Sequence, residues 1–403
     1  MKLSKLSRTI LVSSLGLVLA TLLTSCEIVT IDYLFVANSA GTGSSTSGEI
    51  QTYDVDSESG AIRNGAPSVS SGGNNPVAVA VTADYANLYV VNQASDNVVH
   101  FALADTGVLT QKDSITTSAS PNSIAVNTAG TYLYVVSGPN PAVLTAYSLS
   151  GGTIGSVAAQ ATLSIPGYAG DTLAPTGVTV LANNNAVYVT AYDQSAYNPG
   201  GPTTSNANPG WVFGYAVGTG GALTPATGNP WKAGIKPVAL ASDPTNRFVY
   251  VTDFASNQMI GYTIQSGNVL NFMIIGPFSA GSEPTALTVD PRGKYIYATN
   301  GLSNTVTPFS IYLATGTPTA TINTTGSQTT STDTEPVSVV VDAALGRFVY
   351  TANYLGNSVS GFRLNADTGA LTQTQATPYP SGSKPAAVAT VPHGNHSIES
   401  VTP

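Results

Sequence analysis

The chain is poor in charge, sulfur and histidine. Of its 403 residues, 13 are Lys or Arg and 21 are Asp or Glu, a charged fraction of 8% and a formal net charge of −8. So few basic side chains cannot build the face that neutralises phosphates, so nucleic acid is excluded as a partner. One Cys and three His cannot supply a Cys/His zinc cluster, and no metal is expected. Only two Trp and no haem-attachment motif give no basis for a redox prosthetic group, and no cofactor is expected. A membrane-spanning run is missing too. The longest apolar stretch, 10–23, would reach only about 21 Å as a helix, against ~30 Å of hydrocarbon. A hydrophobic fraction of 42% argues against disorder, and the 40 glycines follow no triplet period.

The N-terminus reads as an address. Lys2, Lys5 and Arg8 precede the run ILVSSLGLVLATLL, as in an export signal. Leu23-Thr24-Ser25-Cys26 follows and resembles the bacterial lipobox, with Cys26 as the lipid-bearing residue. The resemblance implies a signal peptide over 1–25, a lipidated tether over 26–32, and attachment to the membrane through several acyl chains. Glu27 after the cysteine resembles the sorting pattern for the outer membrane, on its periplasmic or surface face.

The rest of the chain is repetitive. A proline followed by a small and aliphatic run recurs at Pro76, Pro121, Pro175, Pro237, Pro284, Pro336 and Pro385. An aromatic strand position recurs at Phe35, Tyr89, Tyr134, Tyr188, Tyr250, Tyr297 and Tyr350. Proline and tyrosine stand 13 residues apart in five units and 14 in the sixth. Constant spacing inside a unit, with variable length between units, indicates one hairpin with loop insertions. No segment has a 3.6-residue apolar period. Each unit reads as four strands, a to d, with a Gly-rich c–d turn such as SESG (57–60), GTGG (218–221) or ADTG (366–369). DVDSESG (54–60) falls on that turn, which makes a calcium loop the weaker reading.

Units of this kind are β-propeller blades. The last unit holds only strand a (386–391), and the first begins at strand b (34–38). The expected fold is therefore an all-β, seven-bladed propeller of four-stranded antiparallel blades over 33–391. The C-terminal strand closes the ring against the N-terminal one, and a polar tail follows (392–403). Two residues after each proline the side chain is small; three residues after, it is aliphatic. Alternate strand positions face opposite sides, so each strand a offers a small face to one neighbour and a bulky face to the other.

The strand b segments YVVN, YVTD, YATN and YTAN, with the DTGALT-like turn, resemble the YVTN-type repeat and the lactonase family of seven-bladed propellers. That resemblance implies hydrolysis of a sugar lactone, as in 6-phosphogluconolactonase, with His, Arg and Glu near the axis. The family's histidine two residues after the strand a proline is replaced here by Ala78, Ser123, Gly177, Ala239, Ala286, Ser338 and Ala387. His100, His393 and His396 lie elsewhere in the repeat.

One constellation remains. The residues just before the seven prolines are Asn75, Ser120, Ala174, Lys236, Glu283, Glu335 and Lys384, four consecutive charges in a charge-poor chain. Strand b ends on the same rim, at Asp253, Asn300 and Asn353 among others. Lys236, Asp253, Glu283, Asn300, Glu335, Asn353 and Lys384 are thus the candidate ligand-binding set, with Glu283 and Glu335 the catalytic candidates. The excursion 192–210, carrying Tyr192 and Tyr197, projects beside them. The sequence points to a monomer that binds a small molecule, a glycan or an envelope protein, with a divergent lactonase as the alternative.

Overall fold

The computed structural model describes residues 29–40, 47–167, 172–197, 209–323 and 325–394. The leader, Cys26, residues 198–208 of the excursion, and the tail from 395 lie outside them. Seven antiparallel sheets form the ring. Blades I to VI open with strands a at Pro76–Val81, Pro121–Val126, Leu173–Val180, Pro237–Ser242, Pro284–Val289 and Pro336–Val341. Blade VII joins the C-terminal Ser383–Pro392 to the N-terminal Thr30–Ala40, Glu49–Asp56 and Ile62–Asn64. Phe35 pairs with Ala389 and Val36 with Val388, so the ring closes as the repeat count requires. Among the described residues the only helical pieces are four short 3-10 turns, and none could cross a membrane.

The hydrophobic core is divided into seven wedges, one in each interface between blades. Strand b is buried on both faces, so it reads as an almost unbroken apolar run, as in Phe248–Asp253. The aliphatic residue of strand a packs toward the preceding blade: Leu240 of blade IV joins Tyr188 and Val212 of blade III. It lies against Gly177, where an added Cβ would come 2.9 Å from Leu240 Cδ2. That contact is why the facing position is small.

The recurrent tyrosine also ties neighbouring blades. Its hydroxyl donates to a carbonyl in the next blade's c–d turn: Tyr89 to Gly152, Tyr250 to Gly316, Tyr297 to Gly369 and Tyr350 to Gly60, at 2.5 to 3.1 Å. At Gly60, Gly316 and Gly369 the turn glycine has φ of 69° to 76° and lies under an aromatic ring of strand b, whereas Gly152 lies against Asn87. A Cβ on Gly316 would sit 2.4 Å from Phe248, so both backbone and space demand glycine. Tyr134 is the exception, its buried hydroxyl having no partner.

Five blades carry a short additional strand against strand c, such as Phe278–Ser279 in blade IV, beyond the four expected. Every strand a also slips register just after its proline, as between Pro237 and Ala239. The residue after the proline is thus an extra, bulged one.

Candidate functional site

The a–b and c–d turns form the lower rim. The entries to strand a and the b–c turns form the upper rim, where the candidate residues lie. The backbone there is turned by left-handed residues. Glu283, Glu335 and Lys384 have φ of 53°, 56° and 56°, as do Asn257, Asn304 and Asn357 (56°, 52° and 48°) in the b–c turns of the preceding blades. Each pair is clasped: the N–H of Glu283, Glu335 or Lys384 donates to the Asn side-chain oxygen at 2.7 to 2.8 Å. A left-handed conformation is costly for a residue with a Cβ, and the clasp offsets that cost.

The seven candidates separate into two groups. Asp253, Asn300 and Asn353 are fully buried, and their polar atoms serve their own blades. Asp253 accepts the N–H groups of Ile235 and Lys236 at 3.0 and 2.9 Å. Asn300 accepts from Gly281 N–H and donates to the hydroxyls of Thr305 and Thr307. Asn353 donates to Ser358 and Ser360 and accepts from Thr351. These three brace the rim from beneath.

Lys236, Glu283, Glu335 and Lys384 are the ones that remain partly or fully exposed. No salt bridge joins them to one another among the described residues. The lysines lie against aromatic rings instead. Lys236 Nζ is 4.4 Å from the Phe254 centroid, 5.1 Å from Tyr197 and 5.6 Å from Tyr192; Lys384 Nζ is 5.7 Å from Tyr354. Tyr192 and Tyr197 meet edge to face at 5.5 Å. Burial lowers the Lys236 ammonium from its usual range, and the nearby Glu283 carboxylate partly restores it. Burial likewise raises the Tyr197 phenol, helped by Tyr192, Glu283 and Asp253.

Phe254 and Tyr354 belong to the candidate site by their contact with the lysines, and the strand pattern does not single them out. They directly follow the strand b ends Asp253 and Asn353, and that shared position is the available signal. In blade V the same position is Gly301. A Cβ there would stand 2.9 Å from Thr285 Cγ2 and 3.8 Å from Glu335 Cγ. The arc therefore runs aromatic, lysine, aromatic, glutamate, gap, glutamate, aromatic, lysine. Below it, the bulged Thr176, Thr285 and Asn122 donate to the proline carbonyls of the next blades, Pro237, Pro336 and Pro175, at 2.5 to 3.2 Å.

Histidine and arginine lie elsewhere. His100 is buried between Asp113 and Asn87, at 2.8 Å from each, and His393 packs edge-on to Tyr33 on the lower rim. Arg247 and Arg292 belong to lower-rim turns. Among the described residues no group of three or more His, Cys, Asp or Glu could hold a metal. Residues 54–60 run from the end of strand c into the c–d turn of blade VII, where Asp56 accepts from Ser59 N–H at 2.7 Å.

The profile of the family described as "Lactonase, 7-bladed beta-propeller" matches residues 29–126 and 224–398. No curated protein sequence matches the chain. Among solved structures, a periplasmic gluconolactonase of Pseudomonas aeruginosa superposes with a TM-score of 0.70 at 18% identity, over 91% of this chain and 100% of that one. A Bacteroides fragilis protein provisionally described as a 6-phosphogluconolactonase gives 0.68 at 19%, over 90% and 98%. A Lactobacillus plantarum protein gives 0.69 at 16%, over 90% and 100%. At such identities the likeness speaks to the fold alone.

Proposed function

This chain belongs to the lactonase family of seven-bladed β-propellers, and on that footing we propose that it opens a sugar lactone at the upper mouth, on the arc from blade III to blade VII. The observation that carries this reading is that the four charged side chains of the arc form no ion pair with one another. A carboxylate kept out of an ion pair is free to act as a general base. Glu283 or Glu335 would take a proton from water as that water adds to the lactone carbonyl. The ring C–O bond then breaks, and the ring oxygen leaves with a proton as a hydroxyl. Lys236 is positioned to stabilise the oxyanion that develops on the carbonyl oxygen, and partial burial strengthens such an interaction. Tyr197 and Phe254 offer flat faces to the apolar side of a sugar ring.

The test is gluconolactone opening, followed against the spontaneous rate, in the wild type and in Glu283→Gln, Glu335→Gln and Lys236→Met. Opening above background, with a loss of at least tenfold in one Glu→Gln variant, supports the reading. A wild-type rate equal to background overturns it.

A second reading has its own support. The described upper rim carries no histidine or arginine, the family's expected partners for the glutamate. A mouth of this composition suits a non-catalytic module that binds a glycan, a small zwitterion or an envelope protein. Thermal protection by a sugar or glycan without turnover would favour this reading. In either case the basic and apolar leader and the lipobox-like Leu23–Cys26, followed by Glu27, support an exported protein, acylated at Cys26 and held in the outer membrane. Mass spectrometry of the N-terminal peptide tests the acylation, and an unmodified Cys26 overturns it.

A further inference from the structure

The a–b turns of blades IV, V and VI are each built on an aspartate that ends strand a: Asp243, Asp290 and Asp342. All three are buried and collect backbone N–H groups from the turn. In blade V the remaining charge is met by a guanidinium, Arg292 Nε lying 2.7 Å from Asp290 Oδ2. Blade VI has no such arginine. Where it would come, the turn reads Ala343-Ala344-Leu345, and a second carboxyl enters from the closing blade: Asp32, in the first strand of the chain.

Asp32 and Asp342 are both 0% exposed. Asp342 is supplied as an anion should be: Leu345 and Gly346 N–H donate to Oδ1 at 2.8 and 3.1 Å, and Arg347 and Phe348 N–H to Oδ2. Asp32 is supplied on one side only. Its Oδ1 accepts from Ala344 N–H at 3.2 Å, and its Oδ2 has no partner unless it carries a proton. Asp32 also stands opposite Pro392, which has no N–H to give. The other titratable groups coupled to the pair are Tyr350 of blade VI and Tyr85 of the blade I turn, neither of them cationic. Two arginines adjoin the Asp342 turn: Arg292 is engaged with Asp290 and with the Gly346 carbonyl, and Arg347 bonds Asp342 through its backbone N–H. Arg63 is engaged with Asp54 and Thr30, and His393 packs on Tyr33.

We propose that the ring is latched shut by one proton held between Asp32 and Asp342, with Asp32 as the neutral acid donating from Oδ2 to the Asp342 carboxylate. Two buried carboxylates in contact cannot both ionise cheaply, and burial and the Asp342 charge both push Asp32 well above the usual carboxylate range. Because the folded state holds this proton more tightly than the unfolded chain, the latch is fully effective at low pH. It weakens from the ordinary Asp range up through the raised value. Over that window the folding constant attributable to the latch falls about tenfold per pH unit.

The decisive comparison is wild type against Asp32→Asn. The amide donates to Asp342 permanently and cannot titrate. Chemical denaturation of both proteins from about pH 4 to 9 should show the wild type losing stability relative to Asp32→Asn, tenfold per unit until the pair ionises. Parallel pH profiles overturn the latch. Infrared difference spectra of the wild type give a second readout, should the variant fail to fold. A protonated carboxyl band that persists above the pH at which ordinary aspartates titrate supports the proposal, and its absence overturns it.

Discussion

The two rims use the same scarce acids in opposite ways. On the lower rim Asp243, Asp290 and Asp342 are buried, and each accepts at least two backbone N–H groups. On the upper rim the Glu283 and Glu335 carboxylates accept no hydrogen bond among the described residues; it is their backbone N–H and carbonyl groups that are held. The difference is one of geometry. The lower-rim acid ends strand a with its side chain under the turn it organises. The upper-rim acid sits at a left-handed residue whose backbone bond holds the main chain and leaves the carboxylate outside. Charge on the lower rim is part of the fold; charge on the upper rim is left out of it.

The strongest challenge to this contrast is removal of closure itself. A chain ending at Gly382 lacks strand a of blade VII and the partner of Thr30–Ala40. Calorimetry should find no cooperative transition, whereas an unchanged melt would show the ring indifferent to its last strand. Next in size is the pair Asp290→Ala and Glu283→Ala. The first strands two backbone N–H groups and the Arg292 guanidinium, for a loss of about 3 kcal/mol or more in urea denaturation. The second should stay within about 0.5 kcal/mol. Comparable losses would erase the distinction between the rims. A finer probe lies between the blades. Tyr297→Phe removes the bond to Gly369 and should cost about 1 kcal/mol, while Tyr134→Phe removes a hydroxyl that has no partner and should be neutral or stabilising. The smallest expected effect is Glu335→Gln, with thermal stability unchanged, so that any lost ligand binding or turnover reports on the site alone.

The blades were readable because proline and tyrosine recur at a spacing that loop insertions do not disturb. Closure followed from an unmatched strand at each end. The site was readable only in part. Asp253, Asn300 and Asn353 end their strands on the correct rim, but no pattern in the strand says whether a terminal polar side chain turns outward or back into its own blade. The Thr and Ser partners of Asn300 and Asn353 lie five and seven residues on, across the b–c turn. Phe254 and Tyr354 join the candidate site because the ammonium groups of Lys236 and Lys384 lie against their rings, a relation between loops rather than between neighbours in sequence. The register slip after every proline is likewise silent, since an extra residue in strand a alters no spacing that recurs. The pairing of Asp32 with Asp342 spans 310 residues and two blades, and only the closed ring brings them together.

Blade VII has one more consequence. Its N-terminal strand begins beside its own c–d turn, where Ser57 N–H bonds Val29 carbonyl, and His393 N–H bonds Ile31 alongside. The chain therefore enters and leaves the described ring at the lower rim, through the same blade. Anything fastened to the N-terminus pulls on that face, and the load passes directly into a strand paired on both sides. A protein moored in this way would stand with its mouth turned away from the surface that holds it, like a dish on a short mast, open to whatever diffuses past.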